Sequence, residues 1–281
     1  MSRRRELEQS LRKLGEIGEI MRSMKNLAVM ETRKLARFLD VQEESVLLIE
    51  AAAADFLCFY PHLGIGNPPG VEAVLVLGTE RGFCGDFNEE LLAVLGRNGN
   101  SPVIAVGGKL CAGLEKHPAL AAEFEGPTVA EDVPKTLNRL VPEIGRLQQG
   151  RAFQGLAVIH HRSGAEGISR KPLLPPFTQI PPPNPPQFQA PLLNLAPEKF
   201  FAELVHHYLF AALHEMFYSS LMAENQRRIQ HLEGAIQRLE EKNTALARSA
   251  RTLRQEEITE EIEVILLSVE GTVAPKSGGW E

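Results

Sequence analysis

The chain has 281 residues, of which 43% are apolar, so it is long enough to bury the core of one large or two small domains. Its formal net charge of −6 argues against nucleic acid as the main partner, since phosphate neutralisation requires a basic surface. No stretch approaches the roughly 20 apolar residues that span a bilayer, and the N-terminus is too charged for a secretory signal. We therefore expect no direct membrane insertion.

The first 60 residues have the pattern of one long helix. Their apolar positions alternate steps of four and three residues, which is typical of a coiled-coil seam rather than a broad globular face. Pro61 ends the pattern, so the predicted helix runs from about Arg3 to Phe59. The seam consists of Leu7, Leu11, Leu14, Gly18, Met21, Met24 and Ala28.

Residues 70–171 alternate short apolar runs with helical patterns. The runs are "VEAVLVLG", "SPVIAVGG", "GPTVAED" and "FQGLAVIHH", and the helical patterns between them lie at 89–95, 109–114 and 135–147. Strands and helices that alternate at this interval predict a small parallel sheet with helices on its faces. We interpret this segment as a small Rossmann-like α/β domain.

A dense proline cluster occupies residues 172–197. It suits neither a helix nor a central strand, so the simplest interpretation is a stiff linker. A ligand segment for an SH3-type domain is the alternative.

The C-terminal part predicts a second long helix at 198–270, followed by a tail at 271–281. Between Pro197 and Gly271 there is no proline and one glycine, Gly234. Such a helix cannot bury its apolar stripe alone, so we expect it to pair antiparallel with the N-terminal helix. The predicted fold class is α/β, a long antiparallel coiled coil plus the small sheet domain. The second seam consists of Leu232, Ile236, Leu239, Asn243, Leu246, Ala250 and Leu253, after which its phase slips.

The sequence indicates no catalytic site, cofactor or metal. The loop "GTERGFCG" has glycines at 78, 82 and 85, which is not the dinucleotide pattern, and "VGGKLC" is not a P-loop. The adjacent pairs His160–His161 and His206–His207 point in different directions and suit no shared metal. Cys58, Cys84 and Cys111 have neither the spacing of a zinc site nor the density of a disulfide framework, so we expect free thiols.

Three separated stretches resemble a known family. The segment "IMRSMKNLAVMETRKLAR" carries a Met-Lys pair, Met24 and Lys25, in an apolar helix. The loop "ERGFCGDFN" is similar to a signature of Asp-Arg-Gly-Leu-Cys-Gly with a following Asn, although here Glu80 replaces the Asp and Asp86 a glycine. The last stretch, "RTLRQEEITEEIEVIL", carries Arg-Gln, Ile-Thr and Glu-Ile steps. In this order, they resemble the gamma subunit of F-type ATP synthases.

That resemblance implies a non-catalytic central-stalk subunit that transmits torque between a membrane rotor ring of c subunits and the catalytic alpha and beta subunits, in proton- or sodium-coupled ATP synthesis or hydrolysis. It implies an epsilon-type stalk subunit as a further partner, and a peripheral position on the cytoplasmic face of a bacterial membrane, held by the rotor ring. By position, it implies partner contacts at Met24, Lys25, Arg81, Cys84, Arg254 and Gln255.

Two other classes of function remain open from the sequence. One is a free-standing coiled-coil scaffold with an α/β interaction domain, and the other is an enzyme that uses the carboxyl edge of the sheet. Within the resemblance, we expect alanine at Arg254 and Gln255 to weaken coupling or assembly more than alanine at Arg227 and Arg228.

Overall fold

The structure is a computed structural model that describes residues 3–64, 70–97, 101–150, 153–164, 167–178 and 191–272. It divides into two compact units. The helical-pair unit comprises Met1–Lys25 and Leu232–Glu281, and the sheet unit comprises Asn26–His231. Helices α1 (Arg3–Phe59) and α5 (Pro197–Thr272) contribute residues to both units, which are described separately below.

The helical-pair unit is an antiparallel pair, as its cross-helix ion pairs show. Each ion pair joins a residue of α1 to one of α5, and the numbers rise on one helix as they fall on the other. The pairs are Arg4–Glu257 at 2.9 Å, Arg22–Glu240 at 2.8 Å and Lys25–Glu233 at 3.5 Å. The predicted antiparallel coiled coil is confirmed.

The seam of this pair follows the predicted positions. Leu232 and Ile236 are buried, and the other predicted α5 positions as far as Leu253 are half-buried. Gly18 is buried because Leu239 packs against it, and a Cβ there would lie 3.3 Å from the Leu239 Cδ2 atom. Glycine therefore allows the two helices to approach closely at this point.

Past the Arg4–Glu257 ion pair, the apolar side chains of α5 are exposed from Ile258 to Leu267. The phase of the seam changes here, and this stretch lies opposite no described residue of α1. The exposed side chains are Ile258, Ile262, Val264, Ile265, Leu266 and Leu267.

The described part of the sheet unit contains one five-stranded sheet with the order β3-β2-β1-β4-β5. Strands β1 to β4 are parallel, and β5 is antiparallel to β4 at one edge. The strands are β1 Glu72–Leu77, β2 Val103–Val106, β3 Leu120–Phe124, β4 Gly155–His161 and β5 Ile168–Leu174. The remaining helices are α2 Phe87–Leu95, α3 Gly108–Leu114 and α4 Val133–Gln149, with short 3-10 turns at Pro61–Leu63 and Ala130–Asp132.

Two details of the predicted sheet are wrong. The third strand lies at Leu120–Phe124, not in "GPTVAED", where Pro127 has no N–H to donate and a 3-10 turn forms at Ala130–Asp132. β3 is an edge strand whose side chains alternate between half-buried and exposed, so it lacks the continuous apolar run of β1. The second is β5, which was not predicted. It extends to Leu174, and it tolerates Pro172 because it is an edge strand.

Both faces of the central strands β1, β2 and β4 are buried, as a mostly parallel sheet requires. One face packs on α4 and on the sheet-unit parts of α1 and α5. The other face packs on α2 and α3. The α5 segment from Tyr208 to Asn225 is mostly buried, because it lies among these layers. Residues 179–190 of the predicted linker and 273–281 of the tail lie outside the described residues.

Candidate partner-binding site

The loop that joins β1 to α2, Gly78–Asp86, carries the sequence signature and begins with a closed hydrogen-bond pair. The backbone N–H of Thr79 donates to Asn88 Oδ1 at 3.1 Å, and Asn88 Nδ2 donates to Thr79 Oγ1 at 2.9 Å. Asn88 lies in the first turn of α2, so its amide ties the start of the loop to the helix that follows it.

The carboxylate of Glu80 joins three loops at the carboxyl edge of the sheet. Its Oε2 atom accepts hydrogen bonds from Gly108 N at 2.8 Å and Gly126 N at 2.7 Å. These donors follow β2 and β3, while Glu80 itself follows β1. Gly107 has φ +115, and a Cβ there would lie 2.7 Å from the carbonyl oxygen of Gly78. In nucleotide-binding loops, backbone N–H groups donate to a phosphate. Here the N–H groups of Gly108 and Gly126 donate to the Glu80 carboxylate instead.

Arg228 of α5 binds the part of the loop around Gly82 and Cys84. Its Nη2 atom donates to Cys84 Sγ at 3.3 Å, and its Nε atom donates to the carbonyl oxygen of Gly82 at 3.4 Å. Nη1 donates to Asn225 Oδ1 at 2.9 Å. The side chain is buried, and its bonds to Cys84 and Asn225 are buried while the bond to Gly82 is partly buried; together they fix the loop against α5.

Glu224 supplies the counter-charge for Arg228. The two side chains, one turn apart on α5, form a buried ion pair. Burial raises the pKa of Glu224 to about 7, and the neighbouring Arg228 charge acts in the opposite direction. Burial also raises the pKa of Cys84 to about 12, with the Glu224 charge adding to the effect. The Cys84 thiol is therefore protonated at neutral pH and is no nucleophile.

A second ion-pair group lies at the end of the loop. Arg227 donates to Asp86 at 2.8 Å and to both carboxylate oxygens of Glu90 at 3.0 Å. Behind Glu90, the buried His161 ring contacts the Phe87 carbonyl oxygen through Nε2 at 3.0 Å. Burial lowers the pKa of His161, so its ring is neutral at pH 7 and Nε2 is the donor.

Of the residues singled out by the resemblance, two lie in the sheet unit. Arg81 is exposed and Cys84 is buried, although both lie in the same loop. The Arg81 guanidinium can reach a partner, whereas Cys84 fixes the loop from within.

The other four lie in the helical-pair unit. Met24 is half-buried at the seam, and Lys25 pairs with Glu233. Arg254 and Gln255 are exposed on α5. Lys25 faces Glu233, and Arg254 lies 21 residues further along, which is about 30 Å of helix. The structure therefore does not bring these four residues into one site.

Sequence reasoning missed Glu80, Glu224 and Arg228 as the residues that fix the loop. The available signal was the spacing of Glu224 and Arg228, four residues apart on a helix, which is the spacing of an ion pair, although the polar residues 225–227 between them give no sign of burial. The proposed control pair is also unsuitable. Arg228 is buried and Arg227 forms ion pairs, so neither is a neutral surface position.

Within the described ranges, no group of three or more His, Cys, Asp or Glu side chains could hold a metal ion. None of the helices in those ranges combines the length and apolarity that a bilayer crossing needs.

Solved structures with a similar fold come from mitochondrial ATP synthases. A chain of the Euglena gracilis OSCP/F1/c-ring in rotational state 3 has a TM-score of 0.63 and 13% identity, covering 99% of each chain. The Tetrahymena thermophila central stalk/c-ring structure gives 0.56 and 15%, with 77% of this chain and 99% of that chain covered. The Euglena gracilis rotor in rotational state 1 gives 0.57 and 12%, covering 91% and 98%. At these identities, the likeness concerns the fold.

No curated protein sequence matches the chain. The family model described as ATP synthase matches residues 3–271, which include both long helices, the sheet and the β1–α2 loop. The free-standing scaffold is therefore not favoured, and the chain belongs to the gamma-subunit family of ATP synthases.

Proposed function

We propose that this chain is the non-catalytic central-stalk subunit that transmits torque between a membrane rotor ring of c subunits and a catalytic ring of alpha and beta subunits. The coupled reaction is ATP synthesis or hydrolysis driven by, or driving, proton or sodium transport. The observation that carries the proposal is the antiparallel helical pair, whose α5 continues past the start of α1.

A rotating shaft can change the affinity of each surrounding site only if its sides differ. The α5 helix meets this requirement, because one of its sides is half-buried in the seam with α1 and the other is exposed. Its exposed arginines are followed at once by exposed glutamates, and these by exposed apolar side chains. The arginines are Arg248, Arg251 and Arg254, and the exposed glutamates are Glu256, Glu260, Glu261 and Glu263.

The proposed partner contacts are those that the resemblance to the gamma subunit implies. We assign Arg254 and Gln255 to polar contacts with a catalytic subunit. Met24 and Lys25 face an acidic loop of a beta subunit in the proposal, and Lys25 exchanges its half-exposed bond with Glu233 for that loop. Arg81 contacts the same class of partner, with Cys84 supporting the loop from within.

The remaining assignments concern the location of the protein and the function of each range of residues. The proposed position is peripheral, on the cytoplasmic face of a bacterial membrane, held by the rotor ring, with an epsilon-type stalk subunit as a further partner. The proposed functional ranges are 1–60 and 198–270 for the shaft, 70–171 for the α/β domain, 172–197 for the linker and 271–281 for the tail.

Native mass spectrometry after co-expression with alpha and beta subunits of the same source tests the proposal. We expect a ring of alpha and beta subunits that carries one copy of this chain. Recovery of an empty ring, with this chain elsewhere as a homodimer, contradicts the proposal and supports a scaffold.

A further inference from the structure

We propose that Phe83 is a rigid aromatic anchor that inserts into an apolar pocket, edged by carboxylates, on a subunit of the catalytic ring. The inference rests on the proposed function and names the side chain of the β1–α2 loop that carries the contact.

The first observation is the backbone conformation of Phe83. Its φ is +67, a left-handed conformation that costs a non-glycine residue free energy, and its side chain is 49% exposed. Phe177 shares the conformation, with φ +63, but it is 8% exposed and its ring packs on Tyr208 and Phe201. Packing within the sheet unit explains Phe177. It does not explain Phe83, which belongs to neither apolar cluster of the described residues.

The second observation is that the structure holds Phe83 in this conformation from both sides. The Gly82 carbonyl and the Cys84 sulfur, which flank Phe83 in sequence, both accept hydrogen bonds from Arg228. Glu80 fixes the start of the loop through its bonds to Gly108 and Gly126.

A buried ion pair is weak evidence of stability, because both charges lose their hydration. The buried Glu224–Arg228 pair is nevertheless built against this loop, with the guanidinium directed at the two residues around Phe83. Because the guanidinium restrains both neighbours of Phe83, the exposed Phe83 ring is held in one position. Backbone strain that is held in place by its surroundings is typical of functional positions.

The chemistry of the neighbouring residues indicates the kind of partner surface. Arg81 is exposed two residues before Phe83. Aromatic and arginine side chains are the types that dominate binding energy at protein interfaces, and a rigid anchor loses little entropy on binding. A pocket for this pair has apolar walls for the ring and a carboxylate at its edge for the guanidinium.

The test uses Phe83→Gly, which separates a binding role from a structural one. Glycine adopts positive φ without strain, so the isolated full-length variant should unfold at the same or a higher denaturant concentration than the wild type. In competition with isotope-labelled wild-type chain for the alpha and beta ring, read by native mass spectrometry, we expect its occupancy to fall at least about tenfold. Phe210→Ala removes another exposed ring, 39% exposed, and should compete equally with the wild type.

Three outcomes of this experiment would contradict the proposal. Equal occupancy of the ring by Phe83→Gly and wild type overturns the anchor alone. A lower unfolding midpoint for Phe83→Gly also overturns it, because the ring then serves the fold. Failure of the wild-type chain to enter the ring overturns the proposed function, and the anchor with it.

Discussion

Arg228 Nη2 lies 3.3 Å from Cys84 Sγ, so a charged side chain of α5 donates to a thiol in the loop after β1. The two residues are far apart in sequence, and this contact joins the loop to the helix. Protection of Cys84 is thus a direct measure of whether the loop is attached.

Thiol labelling of the native chain should therefore be sharply selective. Cys58 is exposed, whereas Cys84 is buried and its pKa is raised to about 12. Because the thiolate is the reactive form, we expect maleimide to label Cys84 at least about a hundredfold more slowly than Cys58 at pH 7. Mass spectrometry of tryptic peptides measures both rates.

Arg228→Met provides the matched test, since it keeps the length of the side chain and removes the donors. It should accelerate Cys84 labelling and leave Cys58 unchanged, because release of the loop exposes the thiol, and this outweighs the loss of the Arg228 charge, which lowers the Cys84 pKa. Equal Cys84 rates in the variant and the wild type would show that Arg228 does not hold the loop.

Glu224 should make stability depend on pH. Its pKa rises from 4.5 to about 7 on folding, so the stabilisation from its protonated form is complete below pH 4.5 and is lost as the pH rises through 7. Glu224→Gln removes this titration. We expect the free energy of unfolding of the wild type, minus that of the variant, to fall between pH 4.5 and 7. Denaturant titrations across this window measure it, and a constant difference would contradict the shift.

Glu80 should stabilise the junction of three loops through a single oxygen. Glu80→Ala removes the acceptor of two backbone N–H groups and should lower the free energy of unfolding by about 2 kcal/mol. Because both N–H groups donate to the same atom, the amide oxygen of Glu80→Gln can accept both bonds, and its loss should be less than half as large. Urea denaturation compares the three proteins, and equal losses for Gln and Ala would exclude this geometry.

Two glycines of α1 should respond in opposite ways to a larger side chain. At Gly18, a Cβ would already lie 3.3 Å from Leu239, so Gly18→Leu should force the helices apart and destabilise the pair by 1 to 3 kcal/mol, roughly the cost of overpacking. At Gly15 nothing lies within 4 Å of a Cβ, so Gly15→Leu should stabilise the helix by about 0.5 to 1 kcal/mol. Thermal unfolding of both variants measures the signs, and destabilisation by both would contradict the seam.

The exposed pair Arg254 and Gln255 should affect coupling rather than folding. Alanine at both positions should reduce ATP-driven ion pumping in membrane vesicles at least about threefold, which is about 0.7 kcal/mol. Gln237 and Arg238 are the matched control, because they have the same side chains and are exposed on the same helix. Equal pumping by the two double variants would argue against a partner contact at Arg254 and Gln255.

The sequence predicted the structural elements that depend on the local pattern of residues. α1 begins at Arg3 and ends at Phe59 as expected, because heptad spacing and Pro61 are both local signals. β3 was misplaced because an edge strand with one exposed face lacks a continuous apolar run. The Glu224–Arg228 pair and the bonds of Glu80 were missed because they arise only when loops and helices meet in three dimensions.

The ion pairs Arg4–Glu257, Arg22–Glu240 and Lys25–Glu233 also depend on the register of α1 against α5. Sliding one helix by a heptad, about 10 Å, separates Arg4, Arg22 and Lys25 from their partners at once. These ion pairs thus favour one register of the two helices, and that register determines how far the apolar end of α5 projects past α1. Removal of one heptad from α1 between Arg4 and Arg22 would shift that overhang by the same 10 Å or so, with no change to a residue of α5.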